Sequence, residues 1–132
     1  MVGQMNLMAV AHPKAYDIGI HAEQYVKNTL NESGWKILAH RARTQHGEID
    51  IIARRYDTII FVEVKASTQA RPMFYELITQ RVQLRLRRAA VAWMSENPQL
   101  HRGAKSYRFD VAFVQMHRQG DIKSMRYIRQ AF

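Results

Sequence analysis

Cysteine is absent from the 132-residue chain, which removes disulfides, thiolate nucleophiles and thiolate-held zinc together. No apolar run approaches the roughly 18 residues of a spanning helix, so no membrane partner is expected. The stretch from Met1 to Val10 lacks a charged segment leading into a long apolar one, and reads poorly as an export signal. A cytoplasmic location is the expectation from these absences. There is no glycine-rich phosphate loop and no Gly-x-Ser-x-Gly elbow. The histidines at 12, 21, 40, 46, 101 and 117 show no His-x-x-x-His spacing and read as surface or loop residues.

What the chain has in excess is positive charge. Twenty Lys+Arg against eleven Asp+Glu give a formal charge of +9 and a pI near 10.3. Such an excess concentrates polyanions around a protein and points to nucleic acid, although solubility alone also accounts for it. At 47% hydrophobic residues the chain can bury a core, and its length suits one domain. No repeat or linker divides it. Residues 1–14 read as a loose tail and 15–132 as a single domain.

Periodicity gives the order helix, three strands, helix, two strands. Ile18, Ala22, Tyr25, Val26, Thr29 and Leu30 mark one face of a helix over about Asp17 to Ser33, with Asp17 as N-cap and Gly34 just past its end. Strands follow at Trp35–Arg43, with Trp35, Ile37 and Ala39 on one side, and at Glu48–Arg54, with Ile49, Ile51 and Ala53 on one side. A third, Thr58–Ala66, is rich in β-branched residues, and the short connection before it suggests a hairpin. After a loop containing Pro72, a helix from about Tyr75 to Glu96 carries Ile78, Val82, Leu86, Ala89, Ala90 and Trp93 as its apolar stripe. Tyr107, Phe109, Val111 and Phe113 alternate in a fourth strand, and Ser124–Arg129 forms a weaker fifth. Adjacent strands joined to the rest by a helical crossover imply an α/β sandwich, a mixed sheet flanked by helices.

The chemistry-bearing residues sit inside the strands. Glu63 and Lys65, two apart on the third strand, share a face. Asp50 lies on the neighbouring strand, and the hairpin brings it towards Glu63 at one end of the sheet. Two adjacent carboxylates repel unless a proton or cation joins them, and Mg²⁺ or Mn²⁺ suits oxygen donors of this kind. Such an ion polarises a phosphodiester and acidifies its bound water. Lys65 can stabilise developing charge or orient that water. Glu23, at the edge of the first helix's apolar face, is a possible third carboxylate. Each residue also has a plainer account: Glu63 and Lys65 as a same-face ion pair, Asp50 as a hairpin cap or arginine partner, Glu23 as a solvated helix residue. Charged side chains alternating with Ile and Val in core strands favour the joint site, because buried charge is expensive. Arg81, Arg85 and Arg88 form a basic stripe on the second helix, denser with Arg87 than solubility needs, and are expected to contact phosphates. Trp35, Trp93 and the tyrosines read as core rather than base-stacking platforms.

The segments Gly19-Ile-His-Ala-Glu23, Gly47-Glu-Ile-Asp50, Phe61-Val-Glu-Val-Lys65 and Arg108-Phe-Asp110 occur in that order. With these spacings residues 16–116 resemble the YraN-like family of bacterial proteins. That family is similar to the archaeal Holliday junction resolvases and the PD-(D/E)xK nuclease superfamily. The resemblance implies a restriction-endonuclease-like three-layer sandwich. It makes Asp50 and Glu63 metal ligands with the Val64 carbonyl as an extra one, Lys65 the catalytic lysine and Glu23 the helical acid. Glu48 shares the motif with no assigned role. Ala22, Ser67 and Val82 stand where the family often has Gly, a basic residue and Lys. The expected function is a metal-dependent endonuclease acting on DNA; branched or repair intermediates as substrates, and a homodimer to cut both strands, are suggested only by analogy with the resolvases. The alternatives are a non-catalytic nucleic-acid-binding module on the same fold and an RNA-processing enzyme with the same site.

Overall fold

The computed structural model describes residues 15–69 and 77–132; the expected tail, the Pro72 loop and Tyr75 lie outside these. Helix α1 (Ala15–Glu32) leads into strands β1 (Lys36–Thr44), β2 (Gly47–Arg55) and β3 (Thr58–Ser67). Helix α2 (Gln80–Glu96), a short 3₁₀ turn (Pro98–Leu100) and strands β4 (Ser106–Met116) and β5 (Ile122–Ile128) complete the chain. The five strands lie in sequence order, antiparallel throughout except where β3 and β4 run parallel across the α2 crossover. The fold is the expected α/β mixed sheet with a helix on each face. None of the described helices is long and apolar enough to cross a membrane.

Two cores follow from the layers. Ala22, Val26 and Leu30 of α1 pack with Trp35, Ile51, Ala53, Ile60 and Val62 on one face. Leu86, Ala89, Ala90 and Trp93 of α2 pack with Ile49, Ile52, Ile59 and Phe61 on the other. Covered on both faces, β3 is buried without a break from Ile59 to Glu63, and so reads as a continuous run rather than an alternation. Tyr25, counted on the apolar face of α1, is exposed.

The helix ends are set by local chemistry. Trp35 N–H donates to the Leu30 carbonyl (3.0 Å) and Gly34 N–H to that of Asn31 (3.1 Å), with Gly34 at φ +92°, which closes α1 in a Schellman turn. Asp17 sits in the first turn of α1 rather than at its cap, where the helix dipole favours a carboxylate. The N-cap of α2 is Thr79, whose hydroxyl accepts from Val82 N–H at 3.2 Å. Ile78 therefore precedes α2 instead of belonging to its stripe.

Strict alternation fails twice, both times for a backbone reason. In β1 the pairing jumps from Ile37↔Ala53 to Ala39↔Ile52, a bulge that leaves Leu38 as an extra residue. Ile37 then packs with the α1 core and Ala39 with the α2 core, so the expected common side for Trp35, Ile37 and Ala39 does not hold. In β2, Ile49 packs on the α2 side while Ile51 and Ala53 pack on the α1 side. The break falls at Asp50, where the β2–β3 ladder has ended at Ile51↔Val62. Across from it in β1, between His40↔Ile51 and Ala42↔Ile49, Arg41 has φ +56°.

Candidate active site

The site is built where the β2–β3 pairing ends, at Asp50. Where the ladder stops, the Asp50 carboxylate takes over as acceptor for the Val64 N–H, at 2.7 Å from Oδ2. This turns Asp50 towards Glu63, close enough for the charge of Glu63 to act on it. Glu63 is 5% exposed, one of two buried charged residues among those described. Its Oε2 receives Lys65 Nζ at 3.3 Å and Arg85 Nη2 at 3.1 Å. Burial, and after it the charge of Glu63, push the Asp50 carboxyl up to about 8, against the opposing pull of the Val64 N–H. At neutral pH the Asp50 carboxyl therefore favours its protonated form, and two cations sit on the Glu63 oxygen beside it. The negative charge of the pair is more than balanced.

Arg85 is the residue whose place the sequence reading missed. It is held at both ends of its fork, by Glu63 and by the Glu48 carbonyl (Nη1, 3.1 Å), and so belongs to the carboxylate site rather than to an open phosphate-binding stripe. Gly47 makes room for it: a Cβ there would lie 3.2 Å from the Arg85 side chain, and its φ of +120° is one L side chains rarely adopt. The available signal was Arg85 abutting the buried Leu86 and standing three residues beyond Val82, at the border of the apolar stripe. Arg81 and Arg88, one turn to either side, are exposed. Glu48 contributes its carbonyl, while its side chain makes a loose surface pair with Arg43 (3.5 Å).

Glu23 approaches from α1 as expected, yet its oxygens are occupied. Arg41 Nε lies 2.9 Å and His40 Nε2 3.3 Å from Oε1. Its charge is the weakest of the influences felt by Asp50. Among the described residues no group of three or more His, Asp or Glu side chains is arranged to hold a metal ion. The donor set that remains, two carboxylates, is of hard oxygens. It fits Mg²⁺ or Mn²⁺, which commonly use one or two carboxylates and fill the other positions with water or phosphate oxygen.

The Arg108-Phe-Asp110 motif does something else. Asp110, 1% exposed, accepts from Arg108 Nε and Nη2 (both 2.9 Å), Tyr127 hydroxyl (2.6 Å) and Gln130 N–H (2.9 Å). Burial, then the bond to Asp110, push the Tyr127 phenol well above its usual range. This network ties β4 to β5 and lies apart from Asp50. Trp35 and Trp93 are buried, as expected; Tyr56 is 90% exposed.

The model of the uncharacterised protein family UPF0102 matches residues 22–114, which include Glu23, Asp50, Glu63, Lys65, Arg85, Arg108 and Asp110. The chain belongs to the UPF0102 family. A UPF0102 protein of Bradyrhizobium sp. strain BTAi1 is 42% identical over 100 residues, covering 76% of this chain and 71% of the relative. Another from Bradyrhizobium diazoefficiens is 41% identical over 108 residues, covering 80% and 79%. One from Synechococcus sp. strain JA-3-3Ab is 37% identical over 115 residues, covering 83% and 85%. UPF0102 is the YraN-like family that the motifs resemble.

Proposed function

We propose that this UPF0102 protein is a divalent-cation-dependent nuclease that hydrolyses phosphodiester bonds of nucleic acid, DNA before RNA. The observation that carries this is the pairing of half-buried Asp50 with buried Glu63, with Lys65 and Arg85 on the same Glu63 oxygen. A structural ion pair has no need of a second carboxyl group set beside the first; a divalent-cation site does.

When bound between Asp50, Glu63 and the Val64 carbonyl, Mg²⁺ or Mn²⁺ would supply a polarised phosphoryl oxygen and an acidified water. The rest falls to the chain. Asp50 would hold the metal as a carboxylate, oriented by the Val64 N–H. Glu63 would hold the metal in place of its two side-chain cations, and Lys65 and Arg85 would then be available to the phosphate. In hydrolysis a water oxygen forms the new bond to phosphorus, the ester P–O bond breaks, and the leaving oxygen takes a proton. Lys65 and Arg85 balance the charge that builds on the phosphate. Arg81 and Arg88 flank this point on α2 and fit contacts to neighbouring phosphates.

A second reading, a binding module that does not cut, draws on the same contacts: Glu63 is already neutralised without a metal. A cleavage panel of linear, flapped, single-stranded and four-way DNA with Mg²⁺ or Mn²⁺ separates them. Nicking by the wild type and none by Asp50→Asn or Lys65→Ala supports the nuclease. No product on any substrate, with DNA binding intact, hands the case to the binding module.

A further inference from the structure

At the end of the sheet away from Asp50, the β2–β3 turn, the start of β1 and the end of β5 enclose an open cleft of about 710 Å³. Lys36, Arg54, Arg55, Arg108 and Arg129 line it, with Asp57 the one carboxylate among the lining residues. We infer that this cleft is a second anion site, one that takes a phosphate group. It does not depend on the carboxylate pair: Thr58 and Glu63 are five residues apart on β3, about 16 Å at strand rise. Glu63 also faces α2, whereas the cleft opens beside the end of α1.

Three of the guanidinium groups are fixed from behind. Arg108 is clamped by the two bonds to Asp110 and lies over the Trp35 ring at 5.5 Å. Arg55 stacks on the same ring at 4.6 Å and donates Nη1 to the Ser33 carbonyl at 3.2 Å. Arg54 donates to the carbonyls of Tyr56 (2.9 Å) and Leu100 (3.3 Å). Each guanidinium carries five N–H donors, so these contacts leave donors over while holding the fork still. Little side-chain entropy is then left to lose when an anion arrives. Lys36 and Arg129 are exposed and complete the rim. Cations remain in excess even with Asp57 and the buried Asp110 set against them, a repulsion that an anion relieves.

The chemistry selects phosphate over carboxylate. One arginine fork satisfies both oxygens of a carboxylate, whereas a tetrahedral phosphate accepts from several forks at once. Trp35 is 6% exposed beneath two guanidinium groups and offers no face to a base. The cleft therefore takes the phosphate without reading sequence. The phosphate comes either from a nucleic-acid strand, which the +9 charge favours, or from a small phosphate compound.

Trp35 reports on the cleft directly. In a Trp93→Phe background it is the one tryptophan, since the chain has two. The full chain in EDTA at low salt is titrated with inorganic pyrophosphate and, separately, with a single-stranded DNA oligonucleotide, and Trp35 emission is followed. Both probes are expected to change it. Lys36→Ala/Arg129→Ala should weaken binding about tenfold or more, with the melting temperature unchanged. Asp50→Asn/Glu63→Gln should leave the Trp35 response in place. A response to the oligonucleotide alone assigns the site to a strand, and one to pyrophosphate alone to a small phosphate compound. Silence from Trp35 with both probes overturns the proposal, as does undiminished affinity in the rim variant. Phosphorus NMR line broadening of pyrophosphate on the unmodified chain gives a parallel readout should the Trp93→Phe background melt. A chain that cuts nothing yet keeps the Trp35 response would sink the nuclease reading and leave this site standing.

Discussion

Asp50 and Glu63 behave as one unit, and their substitutions separate charge from shape. Asn at 50 keeps an oxygen for the Val64 N–H, whereas Ala leaves that donor unpaired at a cost of about 1–3 kcal/mol. Asp50→Asn should therefore fold normally and Asp50→Ala should melt lower, by differential scanning calorimetry. The pH dependence has a definite sign. Asp50 titrates near 8 in the folded chain and near 3.8 unfolded, so between these values the folded state holds the extra proton. Its stabilising effect is complete below the unfolded value and is lost as pH rises through the folded one. In EDTA the wild type should lose melting temperature relative to Asp50→Asn from pH 5 to pH 8; parallel curves would show that the Asp50 carboxyl is not raised. Asp50→Asn/Glu63→Gln, which releases Lys65 and Arg85 from Glu63, should bind DNA in EDTA at least as tightly as wild type and cleave none with Mg²⁺ or Mn²⁺. Weaker binding by that variant would mark the carboxylates as structural.

At the scale of the element, the site depends on irregular backbone more than on helix or strand propensity. The Leu38 bulge, the left-handed Arg41 and the change of face at Asp50 all fall in the β1–β2 pair. Beyond the last β2–β3 pair a side chain replaces a ladder acceptor, and β2 thereby presents a carboxylate to β3. Gly47 begins the same strand and admits Arg85 from α2. Gly47→Ala should destabilise the fold by about 1–3 kcal/mol through its backbone conformation and displace Arg85. Arg85→Ala tests the displaced group itself. It removes a cation beside the donor set, so Mn²⁺ affinity by titration calorimetry should rise while cleavage falls. An unchanged or lower Mn²⁺ affinity would place the metal elsewhere.

For the molecule as a whole, positive charge sits in more than one place. Arg81 and Arg88 are exposed on α2, and the cleft cations lie at the far end of the sheet. Arg81→Ala/Arg88→Ala should weaken DNA binding in EDTA for every sequence alike and lower the salt slope by up to about 2, if both touch phosphates. A steep sequence preference in that loss would mean base contact instead. Arg85→Ala should change the slope less, because Glu63 already holds that guanidinium.

The sequence alone determined the element order, both helix faces and the convergence of Asp50 with Glu63 and Lys65. These rest on local periodicity, on a short hairpin and on charges placed among Ile and Val. It did not determine which face Ile49 or Ala39 takes, because a bulge or a break in pairing shifts the alternation without leaving a composition signal. Nor did it show that Asp110 is a structural acceptor, since its partners Tyr127 and Gln130 arrive from another strand and the turn beyond it. Arg85 is the sharpest case. On a helical wheel it belongs with Arg81 and Arg88. Packing α2 against β2 and β3 puts its guanidinium between Glu63 and the Glu48 carbonyl, a contact between residues 22 and 37 positions apart that only the tertiary fold brings together.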